Sequence, residues 1–103
     1  MSAADELTAA ADTLESLARA AEHDLATNDY WTGYDKTTAW RDGFQNGMGG
    51  EPGDLAGALP PAAVLELARW LRAEARRLSY ASLPEWQETV SPHAVALARA
   101  LTA

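Results

Sequence analysis

The chain of 103 residues carries 8 Lys+Arg against 15 Asp+Glu, a formal net charge of −7, and no cysteine. That length accommodates one domain, spanning 1–103, and the absence of cysteine excludes zinc ribbons, disulfide scaffolds and thiol enzymes. No apolar run nears the ~20 residues of a membrane helix, no signal-peptide core opens the chain, and surplus acid disfavours non-specific binding to nucleic-acid phosphates. The expectation is a small soluble cytoplasmic protein with neither membrane nor nucleic acid as its natural partner.

Alanine (23) and leucine (13) dominate, valine occurs three times and isoleucine not at all. Strands favour β-branched and aromatic residues, whereas Ala and Leu are among the best helix formers. The composition therefore predicts an all-α fold: a small helical bundle of three main helices, one or two short ones, and a Gly-rich loop. With so many of the apolar residues being alanine, the core is expected to be thin.

The first helix is predicted from about Ala3 to Leu25, with Ser2 as N-cap and Asp5 and Glu6 in the turn where the helix dipole favours carboxylates. Leu7, Ala11, Leu14, Leu17, Ala18, Ala21 and Leu25 recur at helical spacing. From Asn28 to Leu59 the texture changes to aromatics and glycines. Thr37 or Thr38 is placed to cap a short helix bearing Trp40, Phe44 and Met48 at four-residue spacing. The run Gly47, Gly49, Gly50, Pro52 and Gly53 reads as a helix stop followed by a turn. Its aromatics mark this segment as ordered and not a linker.

Pro60 and Pro61 open the next helix, where a missing N–H costs nothing. Val64, Leu67, Ala68, Leu71, Ala75 and Leu78 form its apolar face, and Arg69, Arg72 and Arg76 fall on an adjoining stripe before an end near Ser79 or Tyr80. Ser82-Leu83-Pro84-Glu85 has the form of a capping box for one or two turns through Trp86. Ser91-Pro92 repeats the cap-plus-proline pattern, and a last helix from about Pro92 to Thr102 presents Ala94, Leu97, Ala98 and Leu101.

Catalytic chemistry has little purchase here. The glycine run follows no strand, lacks the phosphate-binding lysine, and carries Glu51 and Asp54, so a phosphate loop is disfavoured. His23 and His93 lack a defined set of partner ligands, no nucleophile elbow surrounds any serine, and no paired carboxylates sit on a known acid–base scaffold. Neither a catalytic residue, a metal site nor a cofactor is expected.

Two surfaces are candidates for binding. Arg69, Arg72 and Arg76, with Arg77 nearby, form a possible anion-binding stripe; the alternative is that they pair within the chain with Asp5, Asp12, Glu15 and Glu22 on one flank of the first helix. Tyr30, Trp31 and Tyr34, with Asp29, Asp35 and Asp42 beside them, form an acidic aromatic surface suited to a protein partner, while the aromatics also serve to fill volume in a thin core. Charge favours the second surface. Residues 1–59 hold 11 acids and 3 bases, a net of −8, whereas residues 60–103 hold 4 acids and 5 bases, a net of +1.

The stretch Ala39-Trp40-Arg41-Asp42-Gly43-Phe44-Gln45-Asn46-Gly47-Met48-Gly49-Gly50, followed by Leu55-Ala56, the helix through Trp70-Leu71-Arg72-Ala73-Glu74-Ala75, and the closing Ser91-Pro92-His93-Ala94-Val95-Ala96-Leu97-Ala98-Arg99-Ala100 resemble short, Ala-rich, acidic proteins of unassigned function from actinobacteria and their phages. The resemblance implies an accessory protein carried by a mobile element. In such a setting the chain is expected to bind and inhibit a host nucleic-acid-binding or defence protein through its acidic surface. A regulator that grips nucleic acid by the arginine helix, or a small structural protein forming a homodimer, is the alternative.

Overall fold

The computed structural model describes residues 1–81 and 83–102, with the side chain of Pro84 left aside. Among these the chain is all-α: α1 (Ala3–Thr27), a 3-10 turn (Asp29–Trp31), α2 (Ala39–Gly47), α3 (Gly50–Gly57), α4 (Pro61–Ser79), α5 (Pro84–Val90) and α6 (Pro92–Thr102). No described helix is long and apolar enough to cross a membrane. The residues gather into two compact units, one of 1–16 and 65–103, the other of 17–64.

In the first unit, α1 starts where a reciprocal cap satisfies its orphan donors. Ser2 Oγ accepts from Asp5 N–H at 3.1 Å, and Asp5 Oδ2 accepts from Ser2 N–H at 3.2 Å. A further first-turn donor, Ala4 N–H, is taken by the buried Gln87 side chain of α5 at 3.0 Å. The core joins Leu7, Ala10 and Ala11 of α1 to Ala68, Leu71, Ala75 and Leu78 of α4 and to Ala94, Val95 and Ala98 of α6. Leu7, Leu71 and Leu78 are its largest fully enclosed side chains. Alanines surround them, so the helices approach closely and little slack remains.

Around that core, Arg99 of α6 reaches Glu6 of α1 at 3.1 Å and also pairs with Glu88 of α5. Arg77 Nε binds Glu74 at 2.9 Å and its Nη2 donates to Ser91 Oγ at 2.7 Å and to Val90 O at 3.2 Å, fixing the α5–α6 corner to α4. The capping box expected from Ser82 lies outside the described residues. Helix α5 nevertheless starts at Pro84, the position where proline suits a first turn.

The apolar stripes hold with two exceptions. Leu17 is 63% exposed. At 100° per residue it stands about 80° from the stripe axis through Leu7, at the margin of the face. Leu101 is also exposed, in the last turn of α6, whereas Val95 of the same helix is buried.

The second unit departs most from expectation. The run from Gly47 to Gly53, read from sequence as a stop and turn, instead opens the helix α3 at Gly50. Pro52 lies in its first turn, where a missing N–H is tolerated. The break between α2 and α3 is confined to Met48 and Gly49. Gly49 has φ of 72°, in the left-handed region glycine enters freely, and its N–H returns to Phe44 O at 3.3 Å. The glycine of α3 at 53 serves packing: a Cβ there would lie 2.9 Å from Phe44 O and 3.6 Å from Met48 Cβ, so its absence lets α3 lie against the backbone of α2. Gly57 meets the backbone of Arg41 in the same way.

Candidate functional site

The acidic aromatic surface is assembled within the 17–64 unit from the end of α1, the 3-10 turn and α2. Asn28 caps the turn, its side chain accepting from Tyr30 N–H at 2.9 Å. This delivers Tyr30 and Trp31 onto the glycine-bearing side of α2. The buried Gly43 makes room: a Cβ there would sit 2.3 Å from Trp31 Cζ3. Trp31 stacks on Trp40 with ring centres 5.7 Å apart and planes 11° from parallel, Trp40 leans on Phe44 at 4.6 Å, and Tyr30 meets Trp31 edge-on at 4.9 Å. Every ring with a polar edge has a partner. Tyr30 OH donates to Gly43 O at 2.7 Å, Trp31 Nε1 to Asp24 at 2.9 Å, Trp40 Nε1 to Ala56 O at 3.0 Å, and Asn46 Nδ2 to Tyr34 OH at 2.8 Å.

Packing and display are therefore combined in one cluster. Tyr30 remains 47% exposed, whereas Trp31 and Tyr34, expected on the surface, are half-buried among their neighbours. Asp29 and Asp35 are exposed and Asp42 half-buried. Asp35 accepts from the Thr37 backbone at 2.8 Å and from its hydroxyl. Thr38 stands at the N-cap of α2 without capping it; its hydroxyl donates to Asp42 at 2.7 Å instead. Sequence reading missed Asn46 and Gly43 as members. The i, i+4 spacing of Gly43 and Gly47 on α2 was the available signal.

Hydrogen bonding holds three of these carboxyls below the usual aspartate range. For Asp24 the main cause is the Trp31 indole N–H, then Asn28; for Asp35 it is Thr37; for Asp42 it is Thr38, with Arg41 adding to it. A carboxyl whose folded pKa is depressed contributes stability above its unfolded pKa, and that contribution vanishes as pH falls through the folded value. Thermal unfolding should thus be level near neutrality and its midpoint should fall steadily below about pH 4, with tryptophan emission changing alongside as the Asp24–Trp31 bond is lost. A midpoint unchanged down to about pH 2 would contradict these bonds.

The arginine stripe of α4 is largely engaged inside the chain. Arg72 pairs with Asp12 at 2.9 Å and Glu15 at 2.6 Å on α1, as the intramolecular alternative anticipated, and Arg69 pairs with Glu66 on its own helix. Among the described residues Arg76 has no carboxylate partner; with Asp5, Thr8 and Arg72 it lines an open groove of ≈ 360 Å³. On α1, Arg19 pairs with Glu22 at 3.1 Å. Among the described residues no group of three or more His, Asp or Glu side chains is placed to hold a metal ion.

Ion pairing thus redistributes the acidity. In residues 1–16 and 65–102, six of eight carboxylates have a cation partner: Glu6, Asp12, Glu15, Glu66, Glu74 and Glu88. Among the described residues only Glu22 and Asp42 of 17–64 do; Asp24, Asp29, Asp35, Glu51 and Asp54 have no cation partner there. Comparison with family models, curated proteins and solved structures gives no match to this chain.

Proposed function

We propose that this chain is a non-catalytic, protein-binding accessory protein whose 17–64 unit docks on a basic surface of its partner. The observation that carries this reading is the concentration of cation-free carboxylates, Asp24, Asp29, Asp35, Glu51 and Asp54, in the unit that also holds the aromatic cluster. Long-range charge complementarity steers association and selects partners, while aromatic side chains beside it supply contact area at small entropic cost. The cluster is tied by hydrogen bonds at each polar edge, so it is preorganised and loses little freedom on docking. A nucleic-acid-binding or defence protein offers the basic surface this chemistry fits, and occupying that surface would exclude phosphate from it. Inhibition is the resulting activity, in keeping with the resemblance to small acidic proteins of actinobacteria and their phages.

The test is affinity capture from the host at low salt, with the wild-type chain beside an Asp29→Asn/Asp35→Asn/Asp42→Asn variant. Asparagine keeps the acceptor oxygens used by Thr37 and Thr38, so the fold is retained while three charges go. The captured partner should bind the variant about tenfold more weakly. Equal affinity for both chains would overturn the electrostatic reading.

A further inference from the structure

Asn46 and Gly47 are the last two residues of α2, and both are exposed. Asparagine followed by glycine is chemically labile, because glycine has no Cβ to hinder its own nitrogen and enters backbone angles that other residues resist. The backbone nitrogen of Gly47 can attack Cγ of Asn46. A nitrogen–Cγ bond then closes a succinimide ring as the Cγ–Nδ2 bond breaks. The proton from the Gly47 N–H, relayed through solvent, leaves with Nδ2 as ammonia. Water opens the ring at either carbonyl, leaving an aspartate or an isoaspartate at position 46.

The fold requires this labile pair. A Cβ at Gly47 would lie 2.7 Å from Tyr30 OH, which is itself tied to Gly43 O at 2.7 Å. Asn46 Nδ2 donates to Tyr34 OH at 2.8 Å. The same contacts hold the reaction off. Helical backbone turns the Gly47 N–H back along α2, away from the Asn46 side chain, and the Tyr34 bond holds the carboxamide in place. Beyond the pair only the returns of Met48 N–H and Gly49 N–H to Phe44 O, at 3.0 and 3.3 Å, close the turn. Helix ends open locally at far lower cost than the whole domain unfolds.

We infer that Asn46–Gly47 is a hydrolytic modification site gated by the last turn of α2, closed while that turn and the Tyr34 bond hold and open when they release. Conversion runs one way. A carboxylate at position 46 meets the negative end of the α2 dipole, and isoaspartate lengthens the backbone by a methylene, so neither product restores the turn. Each adds a negative charge to the 17–64 unit. This inference is independent of the docking reading.

The test incubates the full chain at mildly alkaline pH, folded or in guanidinium, and follows aspartate and isoaspartate formation by mass spectrometry of tryptic peptides. Asn28, the other asparagine, precedes Asp29 and serves as the internal reference. In guanidinium, Asn46 should convert at least about tenfold faster than Asn28. In the folded chain, Asn46 should convert more than about tenfold more slowly than in guanidinium. Tyr34→Phe keeps the ring and removes the acceptor; it should speed folded-state conversion about threefold to tenfold, the worth of one hydrogen bond, and leave the rate in guanidinium unchanged. Equal rates for Asn46 and Asn28 in guanidinium would overturn the site. Equal rates for Asn46 folded and unfolded would overturn the gate, and a Tyr34→Phe chain that converts like wild type would overturn the part given to Tyr34.

Discussion

Replacing Leu71 with alanine is expected to lower stability by about 3–4 kcal/mol, seen as a reduced denaturant midpoint at unchanged slope. Leu71 is fully enclosed in a core in which, besides Ala3, six of the other ten members are alanines of α1, α4 and α6, among them Ala10, Ala11, Ala68 and Ala75. Side chains that short cannot swing into the space left behind, so most of the void persists and its cost adds to the lost transfer energy. A domain of this size has roughly 5–15 kcal/mol in total, so the variant would sit near the margin of folding. Leu101→Ala, at an exposed site in α6, provides the comparison and should cost well under 1 kcal/mol. A Leu71→Ala loss as small as that of Leu101→Ala would mean that α1, α4 and α6 do not enclose a common core.

The second large effect concerns sign as well as size. In an open helix, alanine in place of glycine stabilises by about 1 kcal/mol. At Gly43 the reverse is expected, a loss of about 1–3 kcal/mol. The new Cβ would fall 2.3 Å from Trp31 Cζ3 and 3.0 Å from Cε3, so the indole must move. Moving it disrupts the stack on Trp40 and the bond from Nε1 to Asp24 together. Near-ultraviolet circular dichroism should therefore weaken along with stability. Gly33→Ala is the control, since no atom lies within 4 Å of a Cβ there. It should be neutral or slightly stabilising. A stabilised Gly43→Ala chain with an intact tryptophan spectrum would contradict the packing of the 3-10 turn on α2.

These two sites also show what was legible in the residues. Leu71 announces itself, because Val64, Leu67, Leu71 and Leu78 repeat at helical spacing and nothing interrupts them. The Ser2 cap and the Arg72 pairing with the acidic flank of α1 were readable for the same reason: local chemistry at fixed spacing. Gly43 showed only as one of two glycines four residues apart, since the cost of a Cβ there depends on an indole twelve residues away in sequence. Helix α3 was hidden by propensity. Three of its eight residues are glycine and one is proline, which argue for a turn when taken singly. Their placement tells otherwise: Pro52 falls in the first turn, and Gly53 and Gly57 lie one helical turn apart on the side facing α2.

The candidate surface followed the same division. Asp29, Tyr30 and Asp35 were found because acids and aromatics lie side by side in sequence. Which acids stay free of cations was not visible, because Asp12 and Glu15 meet Arg72, and Glu6 meets Arg99, only through the tertiary fold. The apparent acidity of the first 59 residues thus narrows to the 17–64 unit.

The most direct test of that charge-led docking is the ionic-strength dependence of affinity between the captured partner and the purified chain, measured from about 50 mM to about 500 mM salt, a range across which the screening length shrinks severalfold. The account predicts a steep fall in affinity for the wild type and a shallower one for the Asp29→Asn/Asp35→Asn/Asp42→Asn variant. Affinity independent of salt, or identical slopes for the two chains, would contradict it.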